Sequence, residues 1–260
     1  MRRWKSLSTG AKYIFAATCV AGAFAATTTD TKADGMAAKG RPAAVVPTSW
    51  SGFYFGVAGG YQWSSMDVDI PGSAGTLFDV NQDTAFAGVH LGVQHQFGAV
   101  VLGIEGGWMS TFRDDPGSTR CPPLPSTLDC NAQLNDILTI GGRLGWAAGH
   151  WMPYLTGGYA TARFNHEVRA AATGVLDNTA GTRNDGWYLG GGFEWAVTPG
   201  WTAGLEYRHY EFDDATGPAS TPAGVFVNDR RIDASTDTIA ARVSWRWDIP
   251  GRGAPARPLK

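Results

Sequence analysis

The sequence predicts an all-β fold: an eight-stranded antiparallel transmembrane β-barrel of up-and-down connectivity, with long external loops and short periplasmic turns. Three observations carry this expectation. Segments of ten or more residues alternate bulky apolar side chains with small or polar ones. The connections between them are alternately short and long. Arginine in the clearest segments keeps to one parity, and tryptophan collects at segment ends.

Trp50 to Trp63 is the clearest segment. Phe53, Phe55, Val57, Tyr61 and Trp63 share one parity, broken only by Gly59, while Tyr54, Gly56, Ala58, Gly60 and Gln62 share the other. A half-buried strand of a soluble sheet would read the same way, so this segment alone does not decide. Seven more follow, at 84–97, 100–109, 136–147, 151–165, 185–197, 200–212 and 236–247. Each reaches the ~9–11 residues that a tilted strand needs to cross a bilayer. Leu138, Ile140, Leu144 and Trp146 oppose Thr139, Gly141, Arg143 and Gly145. Trp187, Leu189, Phe193, Trp195 and Val197 oppose Tyr188, Gly190, Gly192 and Glu194. Ile239, Ala241, Val243, Trp245 and Trp247 oppose Thr238, Ala240, Arg242, Ser244 and Arg246. A slip of one residue would turn the arginines into lipid, at roughly 2–4 kcal/mol each near the midplane. Pro153 places 151–165 with its first residues at a strand start, where a missing N–H is tolerated.

The connections decide between soluble and membrane readings. Gly98-Ala99, Ala148-Gly149-His150 and Thr198-Pro199-Gly200 are tight turns, and long polar segments at 64–83, 110–135, 166–184 and 213–235 lie between them. Outer-membrane barrels obey this rhythm, with short periplasmic turns and long external loops, whereas soluble sandwiches have no reason to. An even strand number leaves both chain ends on the periplasmic side. Trp50, Trp63, Trp108, Trp146, Trp187, Trp195, Trp201, Trp245 and Trp247 are then expected as interface aromatics, ringing the barrel at both membrane surfaces.

Composition narrows the class further. The chain carries 21 Lys and Arg against 23 Asp and Glu, a net charge of −2, which gives no broad basic surface for nucleic acid. Outside the extreme N-terminus there is no run of about 20 apolar residues, which excludes a helical transporter. Arg2, Arg3, Lys5 and Lys12 followed by a mostly apolar stretch and Ala23-Phe24-Ala25 read as a signal peptide over 1–25. Residues 26–48 read as a flexible leader, 49–247 as the barrel and 248–260 as a flexible tail. Cys19 falls in the signal peptide behind a poor lipobox, so no lipid anchor is expected. Cys121 and Cys130 remain, in a Pro-rich loop of an exported chain, and a disulfide between them is expected. Closing so short a loop is worth roughly 2–3 kcal/mol.

Several stretches in order resemble a known family. They are Trp50-Ser-Gly-Phe-Tyr-Phe-Gly56, Gly142-Arg-Leu-Gly-Trp146, Pro153-Tyr-Leu-Thr-Gly-Gly158, Gly186-Trp-Tyr-Leu-Gly-Gly-Gly-Phe-Glu-Trp-Ala-Val-Thr-Pro-Gly-Trp201 and Leu205-Glu-Tyr-Arg-His-Tyr210. Over 50 to 247 the chain resembles the small porin-family, OmpA-like outer-membrane proteins of Gram-negative bacteria. The resemblance implies an eight-stranded barrel in the cell outer membrane, seated in outer-membrane lipid and placed there by the barrel-insertion machinery. It implies no single activity, since members include structural proteins, porin-like proteins, surface antigens and haem binders. One departure is visible: family chains usually end on an aromatic residue of the last strand, whereas here Trp247 is followed by the tail.

The functional expectations follow from the inward parity. Glu105, Arg143, Glu194, Glu206, Arg208, Arg242 and Arg246 collect there, with His90, Gln94 and Gln96. Charges inside so narrow a barrel are expensive unless paired, so a Glu–Arg network filling the lumen is expected, and with it a mainly structural, surface-exposed monomer. The inward glycines Gly56, Gly60, Gly103, Gly107, Gly190 and Gly192 keep a narrow porin as the alternative. A second alternative is surface ligand binding of the haem type, through His166 or His209 near the outer rim. His209 with Asp213 and Asp214 is the only local cluster of catalytic residue types, and neither Gly-x-Ser-x-Gly nor His-Glu-x-x-His occurs. No catalytic residue, cofactor or metal ligand is assigned.

Overall fold

The computed structural model describes residues 49–72, 78–112, 117–121 and 127–247. The signal peptide, the leader and the tail read from the sequence lie outside the described residues. The strands are β1 (Gly52–Asp69), β2 (Phe78–Phe97), β3 (Val100–Thr111), β4 (Gly117–Arg120), β5 (Leu128–Trp146), β6 (Trp151–Ala170), β7 (Leu176–Thr198), β8 (Trp201–Ser220) and β9 (Phe226–Trp247). Each long strand is antiparallel to its neighbours in sequence, β1 pairs with β9, and β3 pairs with β5. The wall is therefore a closed ring of eight strands, with β4 a short addition to the outer end of β5. Within the lipid band closure leaves every wall strand paired on both sides, as a lipid environment demands.

The predicted parity sets the two faces. Phe53, Phe55, Val57, Tyr61 and Trp63 are 41–57% exposed on the outside, while Tyr54 and Gln62 are buried. From Phe53 to Trp63, about ten steps of ~3.3 Å tilted by roughly 40° give an apolar band of ~25 Å, the height of an outer-membrane barrel's lipid face. Aromatic girdles bound it. Trp146, Trp151, Trp195, Trp201 and Trp247 are exposed near the short turns, with Trp245 half-buried between Trp201 and Trp247. Trp63, Trp108 and Trp187 are exposed towards the other end, with Tyr61, Tyr159 and Tyr207.

The long external segments are themselves mostly strand. The wall runs on past the upper girdle, and there its chemistry inverts while its geometry does not. On β1, Met66 and Val68 point inward and are fully buried, and Asp67 and Asp69 point outward. On β2, Phe78 and Val80 are buried against outward Asp79, Asn81 and Asp83. On β9, Ile232 and Ala234 are buried. Water replaces lipid outside these strands, so polar residues face out and the interior becomes an ordinary apolar core. Met66, Val68, Phe78, Phe86, Leu134, Ile137, Phe164, Phe212 and Ile232 form it.

Backbone approach is tightest where the ring closes on itself. A Cβ on inward-facing Gly60 would run into the Ile239 carbonyl of β9, whereas at outward-facing Gly59 the nearest atom is 3.8 Å away. We expect Gly60→Val to destabilise the barrel by about 3 kcal/mol or more and Gly59→Val to leave it folded. The fraction of refolded protein running as a compact, heat-modifiable band on gels measures both.

Candidate functional site

The polar lumen lies at the level of the lipid band, and all eight wall strands feed it. Glu105 on β3 is its centre. One carboxylate oxygen accepts from Arg208 Nη2 at 2.6 Å and Arg242 Nη1 at 3.1 Å. The other accepts from Arg242 Nη2 at 2.6 Å and the Tyr54 hydroxyl at 2.9 Å. Glu206 on β8 pairs with Arg208 Nε at 2.7 Å and with Arg242, and accepts from the Tyr154 hydroxyl at 2.9 Å. Arg143 on β5 reaches Glu194 on β7 at 2.6 Å and stacks 3.7 Å above the Tyr154 ring. His90 on β2 meets Ser244 on β9 at 2.8 Å. Three carboxylates thus face three guanidiniums, all buried.

The inward glycines are partly covered. Side chains from neighbouring strands lie over several of them: Tyr54 over Gly92, His90 over Gly56, Tyr188 over Gly141 and Tyr154 over Gly192. A cavity of about 40 Å³ lies beside His90, Glu206, Arg208, Tyr210, Thr238 and Arg242. That is room for roughly one to three waters.

Two sequence expectations are corrected at the periplasmic end. Trp50 was expected in the lipid girdle, and it is fully buried against Val101, Met152 and Ala196, flooring the lumen. Its indole donates to the Gly149 carbonyl at 3.2 Å, and Gln94 donates to its carbonyl at 2.7 Å. Gly52 is the cause: its φ of 147° turns the chain beneath the barrel, and a Cβ there would strike the Trp247 carbonyl. Arg246 was expected in the Glu–Arg network, and its guanidinium instead lies 5.3 Å from the Trp50 ring centre, a cation–π contact at the floor.

The remaining candidates lie apart from this network. Cys121 and Cys130 are joined as a disulfide in the outer extension. His166 points into the outer end of the lumen and is 1% exposed. His209 points outward at the upper girdle, its Nδ1 2.7 Å from Asp237 and its Nε2 3.4 Å from Glu211. Asp214 faces Arg231 at 3.8 Å, and the Asp213 backbone carbonyl accepts from Asn184 at 3.0 Å, so His209, Asp213 and Asp214 do not form a cluster. The tyrosines Tyr54, Tyr154 and Tyr188 are the network members that charge counting misses; their inward parity is the signal that finds them.

With this geometry in place, a family comparison decides the identity. The model of the outer membrane protein beta-barrel domain matches residues 15–246. The chain belongs to that family. This outer-membrane barrel is 29% identical over 174 residues to a 31 kDa outer-membrane immunogenic protein of Brucella melitensis, covering 62% of this chain and 70% of that one. Among solved structures it is similar to OprG from Pseudomonas aeruginosa, at a TM-score of 0.46 and 12% identity over 76% of this chain and 97% of that one. It is also similar to Ail of Yersinia pestis, at 0.41 and 11% over 76% and 99%.

Two predictions follow for the outer-membrane barrel. Removing one partner from the ionic knot leaves the others charged and buried. Glu105→Gln and Arg242→Met are each expected to cost about 3–5 kcal/mol, and the double variant about 1–3 kcal/mol less than their sum. Urea unfolding of the vesicle-inserted barrel gives both values.

His166 lies beyond the membrane-spanning part of β6. Burial first, and the Arg230 charge second, hold its imidazole down to about 4 from the usual 6.5. The unfolded chain therefore binds more protons between those values, and stability present above pH 6.5 is lost as pH falls towards 4. In buffer free of oxyanions, His166→Gln is expected to remove on the order of 3 kcal/mol of that acid-dependent loss, measured as unfolding midpoint against pH.

Proposed function

We propose that this outer-membrane barrel is a closed structural and surface-exposed protein of the cell envelope, non-enzymatic, standing as a monomer in outer-membrane lipid after delivery by the insertion machinery. The observation that carries this reading is the stacked filling of the lumen. Trp50 and Met152 floor it, the Glu105–Arg208–Arg242 knot spans the middle, and Phe164, Phe212 and Ile232 fill the extension above. A solute would have to displace paired charges and then a packed apolar core, which a narrow porin does not ask of its cargo. A surface role accords with the name of the Brucella relative, an outer-membrane immunogenic protein, and with strands that carry their polar outer face well past the lipid band.

The non-enzymatic reading rests on His209. It holds Asp237 on one ring nitrogen and faces Glu211 on the other, and the neighbouring Tyr207 hydroxyl is spent on the same Asp237 oxygen at 2.6 Å, so the group reads as an exposed hydrogen-bonded cluster at the girdle. The haem alternative fares no better, since His166 is buried and His209 faces outward on another strand.

Refolded protein in planar bilayers is expected to show no stable unitary conductance, and Trp50→Ala alone is expected to remain silent because the ionic knot still blocks the path. Reproducible single-channel steps from the wild-type protein would establish the porin alternative instead.

A further inference from the structure

The outer end of the lumen holds charge that no described residue neutralises. Arg230 on β9 is 6% exposed, and its Nε donates to Asn228 Oδ1 at 2.8 Å. Its Nη1 is buried with no hydrogen-bond partner, and Arg230 makes no ion pair with any described residue. The buried carboxylates among the described residues are Glu105, Glu194 and Glu206, and all three are engaged by arginines of the lower network. His166 on β6 shares the defect: it is 1% exposed and neither ring nitrogen has a partner among the described residues. A buried cation without a counter-charge is strongly destabilising, and unsatisfied buried donors in one place call for a missing partner.

The wall between these two residues is shaped to receive one. His166 is opposite Ala180 on β7, and Arg230 is opposite Gly217 on β8. Inward-facing Ala180 and Ala219 are buried, and the Thr182 methyl lies over Gly217. Small side chains thus line the wall between the guanidinium on β9 and the imidazole on β6. The His166 imidazole, held neutral by burial and by Arg230, keeps one N–H to donate.

We propose that this outer end of the lumen binds a small oxyanion, a free carboxylate or phosphate group, between Arg230 and His166. The guanidinium supplies the charge and a paired-donor geometry suited to such groups. The imidazole N–H supplies a further donor. The site sits inside the extension above the lipid band, so lipid headgroups do not reach it and the ligand comes from the external medium.

The test is the unfolding midpoint of refolded protein titrated with inorganic phosphate or acetate against chloride at matched ionic strength. Saturable stabilisation by at least one oxyanion, a rise of about 2–4 °C, is expected for the wild type. Arg230→Met is expected to lose it and Arg231→Gln, an exposed neighbour, to keep it. An equal rise in Arg230→Met, or no rise with either anion in the wild type, overturns the proposal. Should Arg230→Met fail to refold, the imidazole carbon–proton signals of His166 in the wild type decide. A saturable shift on titration supports the site, and signals that do not move reject it.

Discussion

The pairing of Glu105 with Arg208 and Arg242 is the constraint on which the barrel interior depends. Its partners come from β8 and β9, 103 and 137 residues away in sequence, and both sides of the contact are almost wholly withdrawn from water. Each ion alone at that depth would carry a penalty of several kcal/mol, repaid only by well-formed partners. The network therefore tolerates one register of the ring and few others. Sliding β3 by one residue would send Glu105 into lipid and leave Arg208 and Arg242 to share the single carboxylate of Glu206. Glu206 and Tyr154 extend the same logic to β6, and Arg143 with Glu194 extends it to β5 and β7.

Above and below this layer the interior is built from other chemistry. The floor is an indole with a guanidinium on its face, and the extension is an apolar core with polar groups at its far end. The transition at the upper girdle is abrupt. On β9 the outward positions change from Ile239 to Asp237, while the inward ones run from Arg242 through Thr238 and Thr236 to Ala234 and Ile232. Cross-strand register is continuous through the change between β1 and β9, so one strand pair serves two environments.

The membrane half of this plan was legible from residues alone because lipid imposes one rule on every strand: apolar outside, with charge on the other parity. The same rule hid the upper half. Met66, Val68, Phe78 and Val80 alternate with aspartates and asparagine just as strictly, but their apolar parity faces inward, so a reader expecting apolar residues outside takes them for loop. Trp50 and Arg246 failed for another reason. A tryptophan at a strand end suits a girdle or a plug equally, and the outcome is set by the backbone at Gly52, which is a matter of conformation and not of pattern. That Arg230 has no ion pair among the described residues was equally invisible, since it depends on which carboxylates the other strands bring near it.

The change of interior chemistry along the barrel has one physical cause, the solvent outside. Where lipid surrounds the wall, turning an apolar side chain inward exchanges one hydrocarbon environment for another and yields little, so the hydrophobic effect cannot choose the inner face. Specificity there must come from groups that lipid rejects, and Glu105, Glu206, Arg208 and Arg242 are such groups. Where water surrounds the wall, burying Phe164, Phe212 and Ile232 is favourable in itself, at roughly 25 cal/mol per Å² of apolar surface. An apolar core then suffices, and a polar residue inside it needs its own justification. Thr84 and Gln82 lie at the boundary, and Gln82 still finds the Leu134 N–H at 2.8 Å. Arg230 and His166 lie well above it, in the region where the fold has no structural need of a buried charge.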